Sequence, residues 1–143
     1  MNAKNALEQN RVEVEGLTSI SSDFGPDETM ARLEKALIAH GMKVFCRINH
    51  AELASEAGMK LRPTEVILFG NPRGGTSLMQ ASQTLGIDLP LKALVWQDAL
   101  GKTWLSYNEP SWLAKRHNAG GLEEKVSAMR ADLSATAAQA TKQ

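Results

Sequence analysis

The chain lacks most features that would place it in a specialised class of protein. Its 143 residues include one cysteine, Cys46, so neither an intrachain disulfide nor a zinc cluster can form. The 16 Lys and Arg residues balance the 16 Asp and Glu residues, so no basic excess favours nucleic acid or an anionic membrane surface. No stretch is long and apolar enough to span a bilayer, and the N-terminus is polar where a secretory signal is apolar. We therefore expect a cytoplasmic protein with no nucleic-acid and no membrane partner.

Metal and cofactor signatures are also missing. Histidine spacings typical of metal centres, such as His-x-His and His-Glu-x-x-His, do not occur, so we expect no metal site. Nothing in the sequence identifies a cofactor. Cys46 lies in the apolar run KVFC, which favours a buried structural thiol over a reactive one.

The composition is that of an ordinary globular domain. Hydrophobic residues make up 43% of the chain and charged residues 22%, which suits one domain with its own core. We divide the chain into a loosely ordered lead-in over 1–16, a single α+β domain over 17–118 and a C-terminal amphipathic helix over 119–143. The Ala-, Thr- and Gln-rich end of that helix, from Ala131, is expected to fray.

Hydrophobic periodicity and turn residues predict the element order β-α-β-α-β-α-β-β-α-α. The third strand, TEVILF from Thr64 to Phe69, has four consecutive apolar residues, which indicates burial on both faces. The helix after Pro26 shows an apolar face at Met30, Leu33, Leu37 and Ile38. We predict a two-layer α+β domain with a four- to five-stranded, mainly antiparallel or mixed sheet and helices packed on one face. A doubly wound parallel sheet is the alternative, because the connections flanking the third strand are long enough for parallel crossovers.

Several short motifs resemble the domain-of-unknown-function family 302. They are ILFGNP, GT, LM, DLPL, LVWQD and GKTWLSYN between Ile67 and Asn108, with ET and INHA upstream. The resemblance covers about residues 17–118 and leaves the final helix out. It implies a small bacterial or archaeal α+β domain that forms a homodimer. It brings no substrate, cofactor or catalytic residue.

The turn GNPRGGT, from Gly70 to Thr76, is the sharpest candidate for a binding site. Backbone N–H groups at a helix N-terminus, with Gly74, Gly75 and the adjacent Arg73, suit an anion such as phosphate or carboxylate. The segment matches neither a Walker A loop nor a Rossmann fingerprint. The structural alternative is a tight turn in which Thr76 or Ser77 opens a helix, with Thr76 as its N-cap.

Other candidate side chains follow or end strands: His50, Asn71, Asp98 and Tyr107. If strands two to four run parallel, the first three gather at one sheet edge and Tyr107 lies at the other; an antiparallel sheet changes this grouping. His50 could be a general base, with a helix cap or a core histidine as the alternative. His117 reads as a surface residue.

The last hairpin carries two tryptophans on paired strands. Trp96 and Trp104 are placed to stack across the strands, and the turn Asp98–Gly101 lets Gly101 adopt a positive φ.

Three functions fit these features. The first is a dimeric binding or accessory module that holds a small ligand, with an anion among the candidates, near Asn71, Arg73 and His50. The second is an enzyme that uses His50 or Asp98 as acid/base in a cleft. The third is a structural module that buries the 92–107 hairpin and the C-terminal helix against another chain. A large apolar patch near Trp104 would favour the third.

Overall fold

A computed structural model describes residues 13–143. The described part contains five strands: β1 (Leu17–Ser21), β2 (Lys43–Asn49), β3 (Thr64–Gly70), β4 (Leu91–Gln97) and β5 (Thr103–Asn108). Its α-helices are α1 (Pro26–Ala39), α2 (His50–Glu56), α3 (Pro72–Ala81), α4 (Pro110–Arg116) and α5 (Glu123–Thr141), and a 3₁₀ segment covers Gln83–Ile87. The predicted lead-in over 1–16 lies mostly outside the described residues.

The strands form one sheet in the order β1-β5-β4-β3-β2, and every neighbouring pair is antiparallel. This confirms the predicted two-layer α+β domain. The doubly wound alternative is wrong, because the segments containing α2 and α3 each join strands that lie side by side with opposite directions. The α1 connection is different: it crosses the sheet from β1 at one edge to β2 at the other.

The hydrophobic core lies on one face of the sheet. Ile67 and Phe69 on β3 and Val95 on β4 alternate with half-buried neighbours, and Leu105 lies on β5 on the same face. Each of these four residues is at most 1% exposed. Helix α1 packs Met30, Leu33 and Leu37 onto them, as its spacing predicted. Ile38 departs from that prediction and is 59% exposed, because it lies on the flank of the buried stripe.

The end of α5 is also buried. The helix continues to Thr141, where the sequence led us to expect fraying from Ala131, and it packs against α1. Leu133, Ala137 and Ala140 are at most 4% exposed. Small side chains let the two helices approach closely, so the Ala-rich composition serves a helix–helix contact rather than a solvated tail.

The β4–β5 hairpin follows the prediction closely. Gly101 has φ +81°, and Asp98 Oδ1 accepts the backbone N–H groups of Leu100 and Lys102, each at 2.9 Å. The rings of Trp96 and Trp104, which are register partners, stack with centroids 6.1 Å apart and planes at 22°.

Cys46 is exposed, which contradicts the expectation of a buried thiol. It lies on β2, which has a neighbouring strand on one side only. The sequence run KVFC is apolar enough for a central strand, but the strand order places it at the edge of the sheet.

The contact between α1 and α5 can be tested by enlarging one small buried residue. Ala137→Leu should lower the free energy of unfolding by about 1–3 kcal/mol, because the added atoms have no space at a position that is 1% exposed. Ala138→Leu, one position along on the exposed side of the same helix, is the matched control and should be near neutral. Urea denaturation measures both, and equal losses would contradict this packing.

Candidate functional site

An apolar cleft of about 320 Å³ opens where β2, β3, the start of α3 and the segment before β4 meet. Three methionine side chains line it, together with aromatic and aliphatic groups: Met42, Met79, Met129, Phe45, Leu89 and Pro90. Phe45 is 46% exposed. The unbranched, polarisable methionine side chains can adapt their packing to an occupant.

Glycines keep the cleft open. Gly70, Gly74, Gly75 and Gly86 all line it. A Cβ at Gly86 would lie 3.4 Å from the sulfur of Met79, at van der Waals contact, so a side chain there would fill part of the space beside the cleft wall. Gly70, Gly74 and Gly75 of the sequence motif therefore leave space in the cleft. Gly74 and Gly75 belong to the first turns of a helix and not to an extended loop.

Helix α3 begins at Pro72, four residues before the predicted start at Thr76. Its N-cap is Asn71, whose Oδ1 accepts the backbone N–H groups of Arg73 at 3.0 Å and Gly74 at 3.5 Å. The N–H of Gly75 donates to the carbonyl oxygen of Asn71 at 2.8 Å, and Pro72 has no N–H. The first-turn donors are thus already engaged, and an anion bound by them would have to displace the cap.

The polar side chains in the lining are few. Asn71 and Thr76 are the ones that the lining includes, and Asn71 already acts as the helix cap. Arg73 is exposed between the lining residues Pro72 and Gly74. An occupant would therefore meet mainly apolar surface, with hydrogen-bonding groups and one guanidinium near the start of α3.

The antiparallel sheet separates the predicted site residues. His50 follows β2 and Asp98 follows β4. These two strands run in the same direction, so both residues lie at the same end of the strands. Asn71 follows β3 and lies at the opposite end of the strands. Tyr107, near the end of β5, lies toward that end too, because β5 runs in the same direction as β3. The structure therefore does not bring His50 together with Asn71 and Arg73.

Asp98 and His50 have ordinary surroundings. Partial burial raises the pKa of Asp98, but hydrogen bonds from the Trp104 indole and from the Lys102 and Leu100 N–H groups outweigh it and hold the pKa below its usual value. This carboxylate stays ionised and bonded within the hairpin turn. His50 is exposed at the start of α2, where Asn49 rather than His50 is the N-cap.

Tyr107 lies on the helix-covered face and is 6% exposed. Burial, followed by the charge of Glu109, raises the pKa of its phenol, against a smaller opposing effect of Arg130. Glu109 in turn accepts a hydrogen bond from the Thr18 hydroxyl, which ties β1 to the start of α4. Tyr107 is thus a core residue, and it does not line the cleft.

The structure reveals a polar cluster that the sequence did not indicate. Asp88 accepts hydrogen bonds from Arg116 Nη1 at 2.7 and 2.8 Å, and its Oδ2 lies 2.5 Å from His117 Nε2. His117 Nδ1 lies 2.8 Å from Thr84 Oγ1. The side chain of His117 is 8% exposed, so this side chain is largely covered where a surface histidine was expected. No local sequence pattern could predict this contact, because 29 residues separate Asp88 from His117.

This cluster fastens the end of α4 to the segment that carries the cleft wall. Burial raises the pKa of Asp88, but its hydrogen bonds with His117 and Arg116 prevail and lower the pKa below the usual value. A hydroxyl, an imidazole and a carboxylate that are linked one after another by hydrogen bonds can relay protons. Here, however, Arg116 also holds the carboxylate, and Thr84 is not part of the cleft lining. We interpret the cluster as a support for Gly86, Leu89 and Pro90.

Two further classes of site are missing from the described part of the chain. Between residues 13 and 143, no group of three or more His, Cys, Asp or Glu side chains is placed to hold a metal ion. Among the helices in the same range, none has the length and apolar character needed to cross a membrane.

The family model described as "Domain of unknown function DUF302" matches residues 18–140. The match includes most of α5 and so reaches beyond the expected limit at 118. The chain is similar in fold to the crystal structure of an uncharacterized conserved protein DUF302 from Bacillus stearothermophilus. The TM-score is 0.80 at 23% sequence identity, over 89% of this chain and 99% of that one.

Curated relatives have a different name. The chain is 49% identical over 105 residues to "Fluoride-specific ion channel FluC 1" of Brucella suis biovar 1 (strain 1330), covering 73% of this chain and 41% of that protein. The same identity relates it to "Fluoride-specific ion channel FluC 2" of Brucella melitensis biotype 1, covering 39% of that protein. The chain thus spans about two-fifths of the length of these relatives.

The role of Asp88 predicts a pH-dependent stability. Asp88→Asn should lower the free energy of unfolding at pH 7 by about 1–3 kcal/mol, because hydrogen bonds to a charged partner are lost. Since the folded pKa of Asp88 lies below its unfolded value, this stabilisation is present above about pH 4 and is lost as the pH falls through the folded pKa. Denaturant unfolding at pH 7 and at low pH measures the difference between wild type and variant.

Asp132→Asn, at an exposed position of α5, is the control and should change stability little at either pH. A difference between wild type and Asp88→Asn that stays constant down to low pH would contradict the assignment.

Proposed function

This chain belongs to the DUF302 family, whose description assigns no activity, and we propose that it is a small binding module whose cleft at the start of α3 holds a compact, mainly apolar molecule. The observation that carries the proposal is the cleft itself. Its volume of about 320 Å³ and its methionine, phenylalanine and leucine lining are typical of a small-molecule site. Binding of an apolar occupant would be favourable, because it would remove the exposed apolar lining from water.

The chemistry of the lining limits the class of ligand. Displacing water from apolar walls favours an apolar body, and the methionines can adjust to its shape. Arg73 is a cation available to an acidic group on such a ligand, since it is exposed beside the lining residues Pro72 and Gly74. We therefore favour a small amphipathic acid over a phosphate, because the first-turn N–H groups are engaged by Asn71.

A thermal-shift screen tests this proposal. Benzoate and hexanoate should raise the melting temperature, whereas acetate and inorganic phosphate at equal concentration should not, because only the former pair carry an apolar body. Thr76→Trp, which places a large ring on a lining residue of α3, should abolish the shift. Gln80→Trp, exposed on the same helix and outside the lining, is the matched control and should keep it.

Stabilisation by phosphate but not by benzoate, or equal responses of the two tryptophan variants, would contradict an apolar site. Arg73→Ala distinguishes the head group from the body. It should weaken stabilisation by benzoate while leaving stabilisation by benzyl alcohol unchanged, since the alcohol has no carboxylate for the guanidinium to pair with.

A second candidate function follows from the Brucella relatives. Because a segment 49% identical to this chain makes up about two-fifths of proteins named as fluoride-specific ion channels, we propose that this domain can serve as an accessory module of such a channel. The apolar cleft does not suit fluoride, a small and strongly hydrated anion, so the module would support the channel rather than bind its ion.

Removing the matching segment from the Brucella suis protein tests the accessory role. We expect slower fluoride efflux from proteoliposomes that contain the shortened protein than from those with equal amounts of the full-length protein. Adding this chain in excess to the full-length protein is the control and should leave the rate unchanged. An efflux rate that does not depend on the segment would contradict the accessory role.

Location and catalysis complete the proposal. We propose a cytoplasmic location, because the single thiol, Cys46, is exposed and a reducing compartment keeps such a thiol free. Catalysis by His50 or Asp98 is not included, since neither residue lines the cleft and Asp98 is engaged by the hairpin turn.

A further inference from the structure

A second, smaller cavity lies behind the cleft at the start of α3. Apolar residues line all of it, and four of them, Leu78, Leu85, Leu91 and Leu113, are at most 6% exposed. We call this space within the hydrophobic core the inner cavity. Its volume of about 10 Å³ gives room for roughly one water-sized group, such as a methyl. Because cavities with apolar walls stay dry, a hydrocarbon group suits this space better than water does.

The cleft and the inner cavity share part of their walls. Four residues line both spaces: Leu78, Leu89, Leu91 and Met129. Leu78 and Leu91 are buried, whereas Met129 on α5 is only partly buried. The methionine side chain is unbranched and has three rotatable bonds, so it changes its packing more readily than a branched leucine. Met129 is therefore the residue best suited to move aside and join the inner cavity to the cleft.

The cleft extends along α3 toward the inner cavity. Its lining includes Pro72 and Gly74 at the start of the helix and Leu78 and Met79 further along it. At a rise of 1.5 Å per residue, about 7.5 Å of helix axis separates Arg73 from Leu78. The extended chain of octanoate covers that distance from a carboxylate at Arg73, whereas the chain of hexanoate does not. The spacing of these two residues therefore favours a ligand with a longer tail than hexanoate has.

Helix α4 forms the far wall of the inner cavity. Three of its residues, Pro110, Leu113 and Ala114, line the inner cavity but not the cleft. The end of the same helix is held by the hydrogen bonds of Arg116 to Asp88. A wall fixed in this way limits the length of the chain that fits, because further carbons would have to push α4 away from the core.

We propose that the ligand of this domain is a straight-chain carboxylic acid of medium length, such as octanoate, with its carboxylate near Arg73 and its methyl end past Met129 in the inner cavity. This inference rests on the proposed binding function of the cleft and adds the length and shape of the ligand's tail. Walls of carbon and sulfur offer the tail no hydrogen bond, so the tail is a plain hydrocarbon. Each CH₂ group that moves from water into the cavity should strengthen binding about fourfold.

Isothermal titration calorimetry of the full chain with two isomeric acids tests the length and shape of the tail. Octanoate and 2-propylpentanoate have the same number of carbons, but only octanoate has a tail narrow and long enough to pass Met129. Octanoate should bind at least about tenfold more tightly than 2-propylpentanoate or hexanoate. Dodecanoate should bind no more tightly than octanoate, because α4 closes the inner cavity. Equal affinities for the two isomers, or an affinity that keeps rising up to dodecanoate, would overturn the proposal.

Filling the inner cavity separates its contribution from that of the cleft. Ala114→Leu should remove most of the preference for octanoate over hexanoate and leave the affinity for benzoate unchanged, because Ala114 does not line the cleft. Ala128→Leu, the same change at an exposed position of α5 outside both linings, is the matched control and should keep the preference. If Ala114→Leu does not fold, Val126→Ile replaces it, with the same expected direction. A filled variant that keeps the full preference would contradict the proposal.

Intermolecular nuclear Overhauser effects locate the tail directly. The terminal methyl group of bound octanoate should show contacts with the methyl groups of Leu113 and Val126, which line the inner cavity alone. Contacts confined to Met42 and Phe45 in the cleft would overturn the proposal. Saturable binding of benzoate without a preference for octanoate would also overturn it, while leaving the cleft as a binding site. If none of the acids binds, both this inference and the proposed function are wrong.

Discussion

Burial of one face of the antiparallel sheet is the constraint on which the rest of the structure depends. Ile67, Phe69, Val95 and Leu105 present an apolar face, and α1 crosses that face from one edge strand to the other. The small residues of α5 then allow it to pack against α1. With both helices on the same side, the opposite face between β2 and β4 keeps its apolar residues partly exposed in the described chain.

The same arrangement creates the cleft. Because β3 runs antiparallel to β2 and β4, it ends where β2 and β4 begin, and α3 starts beside both. Asn71 caps α3 and fixes its start at Pro72, which places the glycine pair of the first turn in the cleft lining. The Asp88 cluster holds the segment on the other side. The cleft therefore results from turn chemistry and one ion-pair cluster on a rigid sheet.

Local patterns predicted much of this fold. The apolar stripe of α1 and the positive φ of Gly101 depend on residues close together in sequence, and both were predicted. The expected burial of β3 on both faces was wrong, because Val66 and Leu68 stay partly exposed while Ile67 and Phe69 are buried. Strand direction was predicted only as mainly antiparallel or mixed, since the connections beside β3 are long enough for either pairing. The Gly74–Gly75 pair was read as a turn because glycine disfavours helices, but Asn71 and Pro72 start the helix before it. The contact of Asp88 with His117 depends on tertiary structure alone.

The central claim is that the cleft at the start of α3 is the binding site of this domain. Two-dimensional ¹⁵N–¹H NMR of the full chain during a benzoate titration tests it most directly. Binding in the cleft should give saturable shifts at the backbone amides of the lining residues Gly74, Gly75, Thr76 and Gly86, with His50 and Asp98 at the opposite end of the strands unchanged. Shifts centred on His50 or Asp98, or no saturable shift in the lining, would contradict it.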